Sequence, residues 1–461
     1  MRYRIADILQ ALPQVMEYVG DERGKDLWFD GLSTDSRTVQ PGQMFVALRG
    51  VHHDAHAFVQ DALERGAVAA VVRRDWFRSG PKVRAPLLVT EDTLDALCRL
   101  ANFHRRHFQI PVVGLTGTVG KTTAKELIAS VLAQKYRVLK SERSYNNAIG
   151  LSQTLAKLRP EHEMAVCELG TNHPGEIGML AEVLEPTAGV ILSVGRGHLE
   201  FLGDLNGVRE EKYALARWLA SHDRGPIFLN ADDPAIRSCP PAAGRLVWFG
   251  QDPRADVRVE LAGVYEGRPV LRFAGMEIHL PLAGVHHLTN AAAAVAVGLH
   301  FGLTAEEVAS GLGRAEAAPH RSQVIRKGGF VVVDDTYNCN PESARAACRL
   351  LVSLDGRRKV AVFGDMLELG ASSEREHALL GSELRQLGVD VFFGFGQWMV
   401  HAVEAARRSG LPARHFADKS KLVEALLVEV RPGDALLFKG SRAMRMEEVL
   451  EQFLERLDEA A

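Results

Sequence analysis

The sequence predicts three α/β domains, one of them built around a phosphate-binding loop. Its 461 residues exceed one ordinary core, and roughly 150 residues per domain gives about three. Apolar runs of strand length alternate with helical periods, the pattern of parallel α/β layers. The stretch "GLTGTVGKTTAKEL", Gly114 to Leu127, joins an apolar strand through a glycine turn to a helix.

In chain order, the first region runs to Phe108. It holds "QMFVAL", the amphipathic "AFVQDALERG" and "AVAAVV", with "PG" at a turn. A second unit opens at "IPVVGLTG" and continues through "MAVCELG", "AGVILSVG" and "GPIFLNADD", each an apolar run closed by Gly, Asn or Asp, and then the Ala-rich helix "TNAAAAVAVGLHFG". A third starts near "PHRSQVIRKGGFVVVDDTYNCNP" and repeats the scheme in "KVAVFGDM", "VDVFFGFG" and "DALLFKGS". The expected divisions are 1–108, 109–316 and 317–461.

Hydrophobic residues at 46% and charged residues at 25% fit a water-soluble globular chain, and a net charge of -3 gives no electrostatic case for nucleic acid. The cluster "HRRHF", residues 104–108, reads as solvated surface. Five scattered cysteines without a CxxC pair indicate neither a disulfide framework nor a zinc site, and suggest a reducing cytoplasm. Asp7 and Gln10 interrupt the apolar core that a signal peptide requires, and no apolar run reaches the ~18 residues of a membrane span, so no membrane insertion is expected.

The glycine turn reads as a nucleoside triphosphate cradle. The strand delivers the chain to Thr116 and Gly117, Thr118 and Val119 form the turn, and Gly120 allows close backbone approach. Lys121, Thr122 and Thr123 then start a helix whose first N–H groups and positive dipole end suit an anion. Lys121 would reach the β- and γ-phosphates, and the Thr122 hydroxyl would hold Mg²⁺. Leu115 stands where the strict Walker pattern has glycine.

Ligands of open α/β sheets gather at the carboxyl ends of the strands. Glu168 follows "MAVC" and His198 follows "GVILSVGRG"; together they suit a divalent metal, although Glu168 equally suits a helix cap and His198 an ordinary loop. Asp334 and Asp335 end an apolar strand beside Tyr337, Asn338 and Asn340; the acidic pair could cap a helix, but such polar crowding suggests a binding site. Lys212, beside Glu210 and Glu211, reads by itself as an exposed lysine.

"TGTVGKTT", "ELGTNHPGEIGML", "SVGRGHLEFLGD", "GVHHLTNAAAA", "DDTYNCNP", "FGDMLELG" and "FKGSRAMRMEEV" resemble, in order and spacing, the Mur ligases, and "STDSRTVQPGQMFVALRG" with "HHDAHAFVQDALERGA" resembles their UDP-sugar domain. "YNCNP", "GDMLELG" and "KGSR" are most similar to the family members that add D-alanyl-D-alanine to UDP-MurNAc-tripeptide. The resemblance implies a UDP-sugar-binding N-terminal domain, a central P-loop parallel-sheet ATPase domain and a C-terminal Rossmann-like domain, in an enzyme expected to be monomeric. It implies ATP and Mg²⁺, with Lys121 on the phosphates, Thr122 and Glu168 on one Mg²⁺, His198 on a second, and Lys212 carbamylated beside the metals. Asn290 would meet the adenine, Arg321 the phosphates and Asp335 the ribose. Thr34, Ser36 and Arg37 would lie near the UDP moiety, and Asn146 and Asn147 near the sugar or its peptide. Tyr337, Asn338, Asn340, Lys439, Ser441 and Arg442 would surround the acceptor dipeptide. Ala148 departs from the family pattern, which has an acidic residue there; "LSQTL" lacks the usual proline, and Ala55 replaces a glycine. Another Mur-type or folate-type amide ligase, with a different carboxylate and amine, is the alternative.

Overall fold

A computed structural model describes every residue except 51, 52, 81, 82, 84, 243, 460 and 461, with only the backbone described at 458 and 459. His52, within one of the motifs above, lies outside the described residues. The contacts divide the chain into two compact units, one of Met1–Gly114, Tyr136–Gly170 and Gly178–Ala188, the other of Leu115–Lys135, Thr171–Ile177 and Gly189–Ala461.

In the first unit a five-stranded sheet has the order Glu17–Val19, Leu87–Thr90, Ala69–Arg73, Met44–Val46, Leu32–Ser33, antiparallel at its first pair and parallel after it. Alternate residues face opposite ways, so Met44, Val46, Val71 and Leu88 bury with Ile5, Ile8, Leu97 and Leu100, while Phe45, Ala70, Val72 and Val89 bury with Val59 and Ala62. Both faces are covered, which is why these strands are continuously apolar. The helix Thr93–Arg106 starts on Asp92, whose carboxylate accepts the N–H groups of Leu94 and Asp95. Its last turn corrects the surface reading of "HRRHF". Arg106 and His107 are exposed, but His104 and Arg105 are buried. Arg105 donates to the carbonyls of Phe108, Leu184 and Glu185, and burial pulls His104 down to about 4. A planar fork that finds carbonyls to bind can be buried despite its charge.

In the second unit, which takes the strand Ala188–Ile191 from Gly189 onward, that strand and Ile227–Asn230, Leu246–Gly250 and Val257–Arg258 run parallel in succession. The Ala-rich helix His287–His300 buries nearly its whole surface, and its small side chains let it approach the helix Lys121–Leu132 so closely that a Cβ on Gly298 would stand 2.6 Å from Val131. A three-stranded antiparallel sheet of Glu260–Tyr265, Arg268–Phe273 and Met276–His279 departs from the all-parallel expectation. Its turns, Glu266-Gly267 and Ala274-Gly275, have positive φ at both residues (50° and 76°, 49° and 77°), the geometry whose twist matches a tight hairpin.

The C-terminal part of this unit is a six-stranded sheet of order Gln323–Lys327, Phe330–Asp335, Ala435–Lys439, Lys359–Gly364, Val391–Phe395, Ala413–Phe416. The first pair is an antiparallel hairpin and the others are parallel. Register sets Asp335 opposite Lys439 and Lys439 opposite Phe363, so the carboxyl ends of three strands meet at one edge. No described helix is long and apolar enough to cross a membrane.

Candidate active site

The phosphate loop is held mainly by its own backbone. Thr118 N–H donates to Ser193 O at 3.0 Å, Val119 N–H to Ser193 Oγ at 3.0 Å, and Gly195 N–H to Thr118 Oγ1 at 2.9 Å. Gly120 has φ +84°, and a Cβ there would lie 2.5 Å from the Asn290 carboxamide oxygen. Two of the four expected nucleotide contacts, the loop and Asn290, are therefore adjacent. Lys121 folds back, donating to Gly117 O at 2.7 Å. Thr116, Thr122 and Thr123 are buried at the strand end and first helical turn, and Thr116 Oγ1 has no hydrogen-bond partner among the described residues. An amide-rich turn, a lysine and buried hydroxyls form a cradle that fits a polyphosphate.

Asn290 continues the site toward the C-terminal sheet. Its carboxamide is 3.3 Å from His287 Nδ1, and the His286 and His287 rings are 4.1 Å apart. Burial lowers the His286 pKa to about 4, with Asp335 opposing and Lys439 reinforcing the shift. Burial, then His286 and Arg321, drive His287 well below its ordinary value. Both imidazoles are neutral at pH 7, and they place the helix start beside Asp335, Lys439 and Arg321.

At that edge Lys439 Nζ donates to Asp335 Oδ2 at 2.6 Å and to Asn338 O at 2.7 Å. Asp335 also accepts the Ser322 N–H at 3.0 Å, and the Arg321 guanidinium lies 4.0 Å from the Tyr337 ring centroid. Ser441 Oγ accepts the Leu367 N–H and donates to Cys339 O. Arg442 pairs with Glu447 at 2.7 Å. Asn340, not the Asp334-Asp335 pair, caps the helix Pro341–Ser353, its side chain accepting the Ser343 N–H. Asp334 instead holds Thr336 and, at 2.8 Å, His320. A Cβ on Gly195 would stand 3.1 Å from the Glu342 carboxyl carbon, and one on Gly197 would stand 3.7 Å from Asn340 Nδ2, so the loop after Ser193 lies against the start of this helix.

His198 adopts left-handed φ 59° before the short helix Leu199–Leu202, and its Nδ1 is 2.7 Å from Glu368 Oε2. Lys212 corrects its surface reading: it is 1% exposed, on the helix Leu205–Ser221. Beside it, buried Glu211 accepts the N–H groups of Gly175 and Ile177, both at 2.7 Å. Taking an ammonium out of water is costly, so a buried lysine is a candidate for chemical modification or a functional ion pair.

The remaining expected residues lie in the first unit. Asn146 Nδ2 donates to buried Glu168 at 2.7 Å. Asn147 caps the helix Ala148–Leu155 through the Gly150 N–H, which puts Ala148 at its first turn, where a carboxylate would favour the dipole. Thr34 Oγ1 accepts from Gln153 at 2.8 Å. Ser36 is half-buried, and Arg37 is largely exposed, with its fork on Asp35 at 2.7 Å holding that carboxyl down at about 2.

The sequence reading missed Ser193, which braces the loop, and Glu368, His286 and Glu342. "GVHH" and "FGDMLELG" carry two of them, His286 and Glu368, but the position of a side chain within a motif does not disclose its partner.

The chain belongs to the Mur ligase family: the family's catalytic-domain model matches residues 29–105, the Mur ligase middle domain 115–298, and the Mur ligase, glutamate ligase domain 320–442. Within that family it is 36% identical to the UDP-N-acetylmuramoyl-tripeptide--D-alanyl-D-alanine ligase of Synechocystis, over 93% of each chain. The structure of MurF from Acinetobacter baumannii superposes with a TM-score of 0.86, at 31% identity over 99% of both chains. That of MurF from Thermotoga maritima, in complex with ADP, gives 0.81 at 29% identity, over 94% of this chain and 98% of that one.

Proposed function

We propose that this chain is the ATP-dependent ligase joining D-alanyl-D-alanine to UDP-N-acetylmuramoyl-tripeptide in peptidoglycan precursor synthesis. The observation that carries the reading is the phosphate loop packed on Asn290, which leads through the His286-His287 pair to Asp335, Lys439 and Arg321. That line of groups suits a nucleoside triphosphate, and the likeness along nearly the whole chain supports the substrates.

A carboxylate is a poor electrophile at neutral pH. Its oxygen attacks the γ-phosphorus, ADP leaves, and the acyl phosphate forms. The amine of the dipeptide then adds to the acyl carbon, loses a proton, and phosphate departs as the amide bond forms. Lys121 and the loop amides hold the transferring phosphoryl, Arg321 adds charge, Asn290 meets the adenine and Asp335 the ribose. The acceptor dipeptide binds among Tyr337, Asn338, Asn340, Lys439, Ser441 and Arg442. Thr34, Ser36 and Arg37 bind the UDP moiety, and Asn146 and Asn147 the sugar or its peptide. Because an acyl phosphate hydrolyses, the site must exclude water.

Among the described residues no three His, Cys, Asp or Glu side chains cluster as a self-sufficient metal cage. Mg²⁺ does not need one, since it keeps waters and takes phosphate oxygens with one or two protein ligands. The donors Thr122, Glu168 and His198 fit that chemistry, and a bound Mg²⁺ supplies charge neutralisation on the phosphates. Burial of Lys212 supports a carbamate there, formed by loss of a proton and addition of CO₂. Lys212→Ala should lose most activity and regain part with added short carboxylates; wild-type rates would remove the carbamate.

The testing experiment offers a panel of UDP-linked peptides and acceptor amines and follows phosphate release and product mass. Release only with UDP-MurNAc-tripeptide and D-Ala-D-Ala together is expected. Equal turnover without either would sink the ligase reading, and a different productive pair would reassign its substrates. We place the divisions at 1–108, 109–316 and 317–461, supported by one family match within each; limited proteolysis away from those junctions would move them. The protein is proposed to act as a cytoplasmic monomer, so sedimentation of a soluble extract should give a species near 50.5 kDa, not a multiple.

A further inference from the structure

The loop after Lys359–Gly364 is fixed far more firmly than an exposed turn needs. Asp365 accepts the N–H groups of Trp398 and Met399, Met366 N–H donates to buried His377, and Leu367 N–H donates to Ser441. These bonds present the next residue, Glu368, at φ 64°, a left-handed conformation rare outside glycine. The Glu368 carbonyl accepts the Glu200 N–H at 3.1 Å, and Gly370 packs on Glu200 so tightly that a Cβ would lie 2.9 Å from its Cα. Its carboxylate meets His198 Nδ1 at 2.7 Å. A second pair, Arg196 with buried Glu376 at 3.2 Å, joins the same two segments. Strain on both members, His198 at 59° and Glu368 at 64°, persists only where the surroundings impose it.

We propose that Glu368 is a positioning residue for His198. Its carboxylate, 2.7 Å from Nδ1, favours the proton on that nitrogen, which leaves Nε2 bare, aims the ring and raises the basicity of Nε2 toward a divalent cation. This rests on the reading of His198 as a metal ligand. Residue 198 lies in the stretch matched by the middle-domain model and residue 368 in that matched by the glutamate ligase domain, so readiness of the imidazole depends on the two being docked.

Mn²⁺ is titrated by EPR into ADP-saturated wild type, His198→Ala, Glu368→Ala and Glu368→Gln, each checked for folding by thermal melt, while ¹⁵N–¹H correlation spectra report the His198 tautomer without metal. Glu368→Ala should weaken Mn²⁺ about 10- to 100-fold, leave ADP affinity in EDTA unchanged, and release the ring from its Nδ1–H form. Glu368→Gln, whose amide oxygen still accepts, should retain the tautomer and lose less. If His198→Ala weakens Mn²⁺ but Glu368→Ala changes neither affinity nor tautomer, the positioning role is overturned and the ligand reading stands. If His198→Ala leaves Mn²⁺ binding untouched, both fall.

Discussion

The phosphate loop and the carboxyl edge of the C-terminal sheet are assigned to one reaction in the proposed function, but they are held in different ways. The loop is fixed by the Thr118 and Val119 N–H groups on Ser193, by the Thr118 hydroxyl on Gly195 and by the fit of Gly120 on Asn290. The sheet edge is fixed by side chains: Lys439 on Asp335, Arg321 over Tyr337, His320 on Asp334. The loop therefore leans on its N–H groups and one hydroxyl, whereas the edge leans on its charged side chains. A substitution in the loop should cost activity at little cost in stability, and one at the edge should cost both.

Lys121→Ala tests the first half and should have the largest effect. Its ammonium donates to the loop carbonyls of Gly117 and Thr118, while the Thr118 and Val119 N–H groups are held by Ser193, so its removal should leave the melting temperature within a degree or two of wild type. Turnover should fall about 10²- to 10³-fold, the usual cost of losing one preorganised charge-stabilising group. A drop in stability matching the drop in rate would show that the loop depends on this side chain.

Lys439→Met tests the second half. The lysine is 3% exposed and Asp335 14%, so removing one partner strands a nearly buried charge. Breaking a fully buried pair costs about 3–5 kcal/mol, and this slightly wetter one should cost about 2–3 kcal/mol in urea unfolding. Adding Asp335→Asn should recover part of that loss but not the activity. Equal stability of single and double variants would mean that the pair is not structural.

The same contrast explains what was legible beforehand. The phosphate loop is contiguous, and each residue's role follows from the strand, turn and helix around it, so "TGTVGKTT" could be read directly. Asp335 and Lys439 become partners only through the register of two strands distant in sequence, and Glu368 reaches His198 only through a braced loop. The short antiparallel sheet was missed because Glu266-Gly267 and Ala274-Gly275 are weaker hairpin signals than Asn-Gly, which tolerates left-handed backbone better. Lys212, His104 and Arg105 were read as surface because charge predicts exposure unless a partner or a chemical role lies within reach.

Arg442 is where the two behaviours should separate within the edge itself. Its ion pair with Glu447 is short, but the arginine side chain is 57% exposed, and such pairs contribute only about 0–1 kcal/mol. Unlike Lys439, it should behave as the loop side chains do. Arg442→Ala should therefore leave urea stability within about 0.5 kcal/mol of wild type. If it meets the acceptor carboxylate, KM for D-Ala-D-Ala should rise several-fold while KM for ATP stays put. A stability loss approaching that of Lys439→Met would make the whole edge structural. Unchanged stability with unchanged KM for the dipeptide would place the acceptor elsewhere along Tyr337, Asn338 and Ser441.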